Sequence, residues 1–190
     1  MPESDAAQRI LIVRPSALGD VARTVPALVS LRRAHPEAAI DWLVRDTFAD
    51  AIAAHPGVDG IVRFPRARFR RFGRNAAVTR EVLAWLGDLG RRGYDAAYDL
   101  QGLMRSGLFI GASRADRRVG FADAREGAWL AYNRRHRVGA AHAVDRMLGL
   151  LEAEGVETTP DMRLYVSQAD ARWADAWLGE HDLVAGRYVV

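Results

Sequence analysis

In "RILIVRPSALGDVARTVPAL", residues Ile10 to Val13 form an unbroken apolar run. A strand buried on both faces of a parallel sheet needs such a run, because both of its side-chain directions meet core. Val21, Val25 and Leu28 then recur at i, i+4 and i+7, with Arg23 and Ser30 opposite. That is the spacing of a helix with one core face. Pro26 falls inside this pattern and predicts a bend or an early 3₁₀ turn, since it has no N–H to give a helix interior. The alternation repeats down the chain. "AIDWLV", "VDGIVRF", "YDAAYDL" and "RRVGF" read as strands two to five. Between and after them, "DTFADAIAAHPG", "AAVTREVLAWLGDLGRRG", "GLMRSGLFIGAS" and "HAVDRMLGLLEAEG" read as helices, the last closed by Gly155.

Strands alternating with helices predict an α/β protein, a doubly wound, Rossmann-like parallel sheet with Ile10 to Val13 as a central strand. Near the end, "SQADARWADAWLGEH" has a Ser167 N-cap signature and helical spacing, and "GRYVV" reads as the opening of a new buried strand. This divides the chain into a domain over 1–165 and, over 166–190, a linking helix with the first strand of a further α/β domain.

Composition narrows the chemistry. There is no cysteine, which excludes a disulfide framework and a thiolate metal site. No His/Asp/Glu cluster has metal spacing, so no metal and no cofactor is expected. "MPESDAAQ" has acids and no apolar segment of the kind a signal peptide carries, and no apolar run approaches the roughly 20 residues that span a bilayer. A cytoplasmic protein is the expectation. The formal net charge is only +3, yet all 27 basic residues are arginine. From Arg63 to Arg80 seven arginines occur with no acid, interleaved with Phe64, Phe69 and Phe72. Such a stretch sets up a local positive field and suits an anion-binding surface.

In an open parallel sheet, ligands gather beyond the carboxyl ends of the strands. Strand one delivers Ser16, Gly19 and Asp20 there, and strand three delivers Arg66, Arg68, Arg70 and Arg71. Strand four delivers Asp99, Gln101 and Gly102, followed by Arg105 and Ser106, and strand five delivers Asp123, Arg125 and Glu126. One carboxylate, Asp20, thus falls among cations and amide donors. Two roles fit it: an N-cap or first-turn acid worth about 1 kcal/mol to its helix, and a catalytic base. "PSALGD" is neither a P-loop nor a GxGxxG turn.

"ILIVRPSALGDVARTVPAL", "YDLQGLMRSG", "VGFADAREGAWLAYNRRHRV" and "HAVDR", in that order from Arg9 to Arg146, resemble the N-terminal half of the lipopolysaccharide heptosyltransferases of glycosyltransferase family 9, the heptosyltransferase I group above all. The resemblance implies the N-terminal, acceptor-holding domain of a GT-B fold, with the donor contacts supplied by a C-terminal domain. It implies inverting transfer of L-glycero-D-manno-heptose from ADP-heptose to Kdo of the lipid A inner core, at the inner face of the inner membrane. It places the general base on Asp20 and acceptor-binding positions on Ser16, Gly19, Arg66, Arg68, Arg70, Arg71, Gln101, Arg105 and His142. The family's C-terminal half is absent beyond the "YVV" strand, which leaves acceptor binding without transfer as one alternative. A family-9 transferase for another inner-core acceptor is a second. A nucleic-acid binder drawn from the Arg/Phe stretch is a third, and no nucleic acid is expected.

Overall fold

The computed structural model describes residues 9–140, 142–184 and 186–187. Six parallel strands form one sheet: β1 (Arg9–Val13), β2 (Ala39–Arg45), β3 (Gly60–Phe64), β4 (Ala96–Asp99), β5 (Arg117–Phe121) and β6 (Arg134–His136), in the order β3-β2-β1-β4-β5-β6. β1 is central, as its apolar run predicts. Its residues alternate between two cores: Ile10 and Ile12 face one, Leu11 and Val13 the other. Full burial of each such side chain contributes about 1.5–3 kcal/mol.

One layer holds α1 (Leu18–Ala22), α2 (Val25–Ala34), α3 (Asp50–Ala53) and α6 (Ala143–Glu152). The other holds α4 (Ala76–Gly90), α5 (Met104–Ser113) and 3₁₀ turns at Arg68–Arg71 and Ala128–Ala131. The bend expected at Pro26 lies just ahead of it, at Arg23 and Thr24, and Pro26 sits in the first turn of α2. That position needs no N–H and suits the fixed φ of proline. β6 is the element the hydrophobic pattern does not announce. Its three residues "RRH" carry no apolar side chain, and backbone pairing to β5 makes it a strand.

α7 (Gln168–Glu180) starts on Ser167, whose hydroxyl accepts the Asp170 N–H at 3.0 Å. The helix buries none of its residues and exposes Trp173 and Trp177. The strand read from "GRYVV" falls on Tyr188 to Val190, outside the described residues. No helix among the described residues is long and apolar enough to cross a membrane.

Strand order reverses between β1 and β4, where Val13 pairs with both Leu43 and Asp99. Loops from the two strands diverge there and leave a crevice at the carboxyl edge.

Candidate active site

β1 carries Arg14 to that crevice and leaves its side chain only 11% exposed. One guanidinium nitrogen donates to the Leu100 carbonyl at the end of β4, and Nη2 lies 3.2 Å from Asp20 Oδ2. Burial pulls the Arg14 pKa down, while the Asp20 and Asp99 carboxylates push it back up.

Asp20 is a first-turn acid rather than an N-cap. The N-cap of α1 is Ala17, which has no side-chain acceptor, and Asp20 three residues on accepts the Ala17 N–H on Oδ2 at 3.3 Å. This is the returning half of a capping box, at the positive end of the helix. Among the described residues both polar contacts of the carboxylate use Oδ2, and the side chain is 39% exposed. A substrate hydroxyl can reach it.

Asp99, a neighbouring carboxylate and the obvious substitute base, is fully buried. Its Oδ1 accepts the N–H groups of Gln101 and Gly102, both at 2.9 Å, and its Oδ2 accepts the Tyr132 hydroxyl at 2.6 Å. Burial pushes the Asp99 pKa up, and the bonds from Tyr132, Gly102, Gln101 and Ser106 oppose that. The group folds the turn after β4 and has no reach to substrate. Gly102 takes φ +74° in that turn, a left-handed conformation that side chains disfavour. Gly120 on β5 makes room for the tyrosine: an added Cβ would lie 2.3 Å from the Tyr132 ring.

A cavity of about 410 Å³ opens between the loops after β1, β4 and β5, lined among others by Arg14, Asp20, Gln101, Asp123, Arg125 and Arg146. The hydrogen bond from Arg146, 2.6 Å long, holds the Asp123 carboxyl below its usual range. Arg146 also lies over the Phe121 ring at 4.4 Å. Gln101 Oε1 is buried with no partner among the described residues, an acceptor that a ligand hydroxyl or amide would satisfy. Glu126 is spent on the Met104 N–H at 3.2 Å, at the start of α5. Two carboxylates, Asp20 and the Arg146-paired Asp123, thus share the cavity with the guanidinium groups of Arg14, Arg125 and Arg146, and Asp20 keeps Oδ1 without a partner among the described residues. Such a site can take a proton from a hydroxyl of an anionic substrate.

The arginine loop divides. Arg66 and Arg70 join Arg45, at the end of β2, and Arg105, on α5, around a second hollow of about 470 Å³ floored by Phe64 and Phe69. Burial pulls the Arg105 pKa down first, and the neighbouring positive charges of Arg66 and Arg45 add to that. The Glu126 carboxylate acts the other way on Arg105, and among the described residues no carboxylate lines the hollow itself, so clustered positive charge there favours an anion. Arg68 is not part of it, because it pairs with Glu81 at 2.5 Å. Arg71 lines a separate depression with Arg70, Arg74 and Asn75. Arg63 pairs with Asp50 at 2.9 Å, so the seven arginines are not all unpaired. Nor are the interleaved aromatics all exposed. Phe64 and Phe69 are buried against Trp85 and Phe109, with ring centroids 5.0–5.9 Å apart, and only Phe72 is exposed. They pin the loop to the core.

Three further positions stand apart from the cavity lining. Ser16 is half-buried in the turn before α1, Gly19 is exposed with open space where a Cβ would go, and His142 is the exposed N-cap of α6. Arg14 and Arg45 are the residues that the sequence reading passes over. Both end apolar strands at the carboxyl edge, and that placement is the signal that identifies them. Among the described residues no cluster of His, Asp and Glu could hold a metal ion.

Comparison with known proteins bears on this site. Residues 82–186 match the family model for Glycosyltransferase family 9 (heptosyltransferase), a segment that holds Gln101, Arg105, Asp123 and Arg146 but not Asp20. The chain is 32% identical over 186 residues to lipopolysaccharide heptosyltransferase 1 of Escherichia coli strain K12, covering 96% of this chain and 57% of that protein. To the Salmonella typhimurium protein of the same name it is 34% identical over 142 residues, 73% of this chain and 45% of the relative. The solved structure of E. coli heptosyltransferase WaaC with ADP-2-deoxy-2-fluoro heptose superposes with a TM-score of 0.72 at 33% identity, over 81% of this chain and 51% of that one. E. coli ADP-heptose lps heptosyltransferase II shares the fold, with a TM-score of 0.69 at 18% identity. The chain spans about half the length of these relatives.

Proposed function

Because the chain belongs to glycosyltransferase family 9, we propose that it forms the acceptor-side half of an inverting heptosyltransferase of lipopolysaccharide core synthesis. The donor is ADP-L-glycero-D-manno-heptose and the acceptor is Kdo of the lipid A inner core, presented at the inner face of the inner membrane. Asp20 is the general base. Residues 1–165 hold the acceptor, and 166–190 lead toward a donor-binding domain. The absence of any buried residue in α7, and relatives about twice as long, support that division.

The carrying observation is the half-used carboxylate of Asp20 on a cavity lined by Arg14, Arg125 and Arg146. The acceptor hydroxyl donates its proton to Asp20 as its oxygen attacks the anomeric carbon from the side opposite the leaving diphosphate, which inverts that centre. Arg14 holds Asp20 in place through an anchor on the Leu100 carbonyl. The arginine-lined cavity and the Arg45–Arg66–Arg70–Arg105 hollow receive the carboxylate and phosphates of the acceptor by charge-assisted hydrogen bonds. Ser16, Gly19 and His142 flank the approach.

The test is Asp20→Asn in a protein that carries both halves, with heptose transfer to defined acceptors as the readout. Removing a general base costs about 10²–10⁴ in rate. A variant retaining more than roughly a tenth of the rate would make Asp20 a helix acid only. Transfer to a phosphorylated heptose in preference to Kdo would reassign the acceptor. An acceptor-binding role without turnover is the second reading, and acceptor affinity without transfer in the isolated chain is its signature.

A further inference from the structure

We propose that the outer face of α4, α5 and the Ala128–Ala131 turn docks on an anionic phospholipid surface. The residues that carry it are exposed and apolar where a soluble face would be polar: Met104 at 62%, Leu108 at 51% and Leu130 at 69% exposure, with Phe72 and Trp129 also exposed. Met104 and Leu108 stand four residues apart on α5 and share one ridge. On one flank of that ridge Gly107 lets the 3₁₀ turn close in, since an added Cβ would lie 2.8 Å from Ala128 Cα, and this brings Trp129 and Leu130 alongside. On the other flank Leu108 and Phe72 border an apolar hollow shared with Trp85 and Leu86 of α4. The patch is therefore continuous across three elements, and contiguous exposed apolar surface marks an interaction site.

Charge decides the occupant. The basic loop borders the patch, and Arg66, Arg70, Arg71, Arg74 and Arg80 have no carboxylate partner among the described residues. The nearby acids are engaged, Glu81 by Arg68 and Glu126 by the Met104 N–H. On the far side Arg135 lies 5.2 Å over the Trp129 ring. Apolar side chains rimmed by cations, with a tryptophan at the boundary, match the acyl and headgroup layers of an anionic leaflet. A symmetric second copy would set the arginine loop against itself. The face adjoins the arginine hollow through Arg105, so the proposal rests on, and deepens, the reading of a lipid-anchored acceptor.

Vesicles containing no acceptor test this independently of transfer. The chain should sediment with phosphatidylglycerol-containing vesicles, less with phosphatidylcholine alone, and less again at high salt. Tryptophan emission should shift to the blue, and less so in Trp129→Phe. The double variant Leu108→Glu/Leu130→Glu should lose at least about tenfold in partitioning, while its melting temperature and its affinity for a soluble, acyl-free acceptor sugar stay unchanged. The milder pair Leu108→Ser/Leu130→Ser should fall between. No preference for phosphatidylglycerol in the wild type, or wild-type partitioning by a folded glutamate variant, overturns the proposal. So does self-association that Leu108→Glu abolishes while vesicle binding persists, which would assign the face to a second copy. Vesicle binding with no recognition of any acceptor sugar would instead leave the docking face and remove the proposed function.

Discussion

The two edges of the sheet each hold an aspartate among arginines, and they use it in opposite ways. At the amino edge Asp41 on β2 has only 4% of its side chain exposed. Its Oδ2 receives Arg9 at 2.9 Å, Arg92 at 3.3 Å and the Tyr94 hydroxyl at 2.7 Å. Burial and the Asp41 contact push the tyrosine pKa up, so the phenol stays protonated. Gly60 supplies the space, since a Cβ there would lie 2.2 Å from Asp41 Oδ1. At the carboxyl edge Asp20 has one cation, one backbone N–H and an open side. A buried carboxylate ties elements together, and only an exposed one is available to a substrate. Asp99 shows that the distinction follows burial rather than edge, because it lies beside the cavity and is as buried as Asp41.

Paired exchanges break or sharpen this contrast. Asp20→Asn should lower kcat by about 10²–10⁴ and barely move the melting temperature. Asn can still accept the Ala17 N–H, and a partly exposed ion pair is worth about 0–1 kcal/mol. Asp41→Asn should do the reverse. It weakens the acceptor for Tyr94 and costs about 1–3 kcal/mol of stability in urea titrations, with acceptor affinity intact because the arginines can turn to water.

A pH effect comes next. His55 accepts the Gly57 N–H on Nδ1 at 3.0 Å and is buried against the Tyr165 ring, and burial pulls its pKa down. The unfolded chain then binds the extra proton more readily than the native one. The stability His55 allows is present above the unfolded value of about 6.5 and is lost as the pH falls below it. Melting temperatures between pH 7 and pH 5 should fall, and His55→Asn, which keeps an acceptor, should flatten that slope. The smallest effect separates arginines within the loop. Arg68→Ser should change neither acceptor affinity nor stability beyond about 0.5 kcal/mol, whereas Arg66→Ser/Arg70→Ser should weaken acceptor binding and its salt dependence.

Much of the fold is legible in the residues because its determinants are local and periodic. The run Ile10–Val13 and "RRVGF" carry the buried pattern of their strands, and Ser167 marks the start of α7. β6 escapes because an edge strand of three polar residues is made by pairing, which no period records. At the site, Asp20 is legible as a strand-end carboxylate, but its freedom is not. That depends on where Arg14, Leu100 and Ala17 meet it in space. The arginine loop is legible as a basic stretch, while its division depends on Glu81 and Asp50, which reach it from α4 and α3. The phenylalanines mislead for a related reason: alternation with arginine looks like a surface motif, yet in a 3₁₀ turn it buries Phe69 and turns its neighbours outward.

That aromatic anchor has an evolutionary consequence. Phe64, Phe69, Trp85 and Phe109 hold the loop by contacts that involve none of its guanidinium tips. The tips can therefore drift in sequence while the loop keeps its path. A lineage facing an altered anionic ligand can re-tool Arg66, Arg70 or Arg71 one at a time without passing through a misfolded intermediate. The anchor thus separates heritable change in recognition from heritable change in folding, and leaves this loop open to selection for a new ligand.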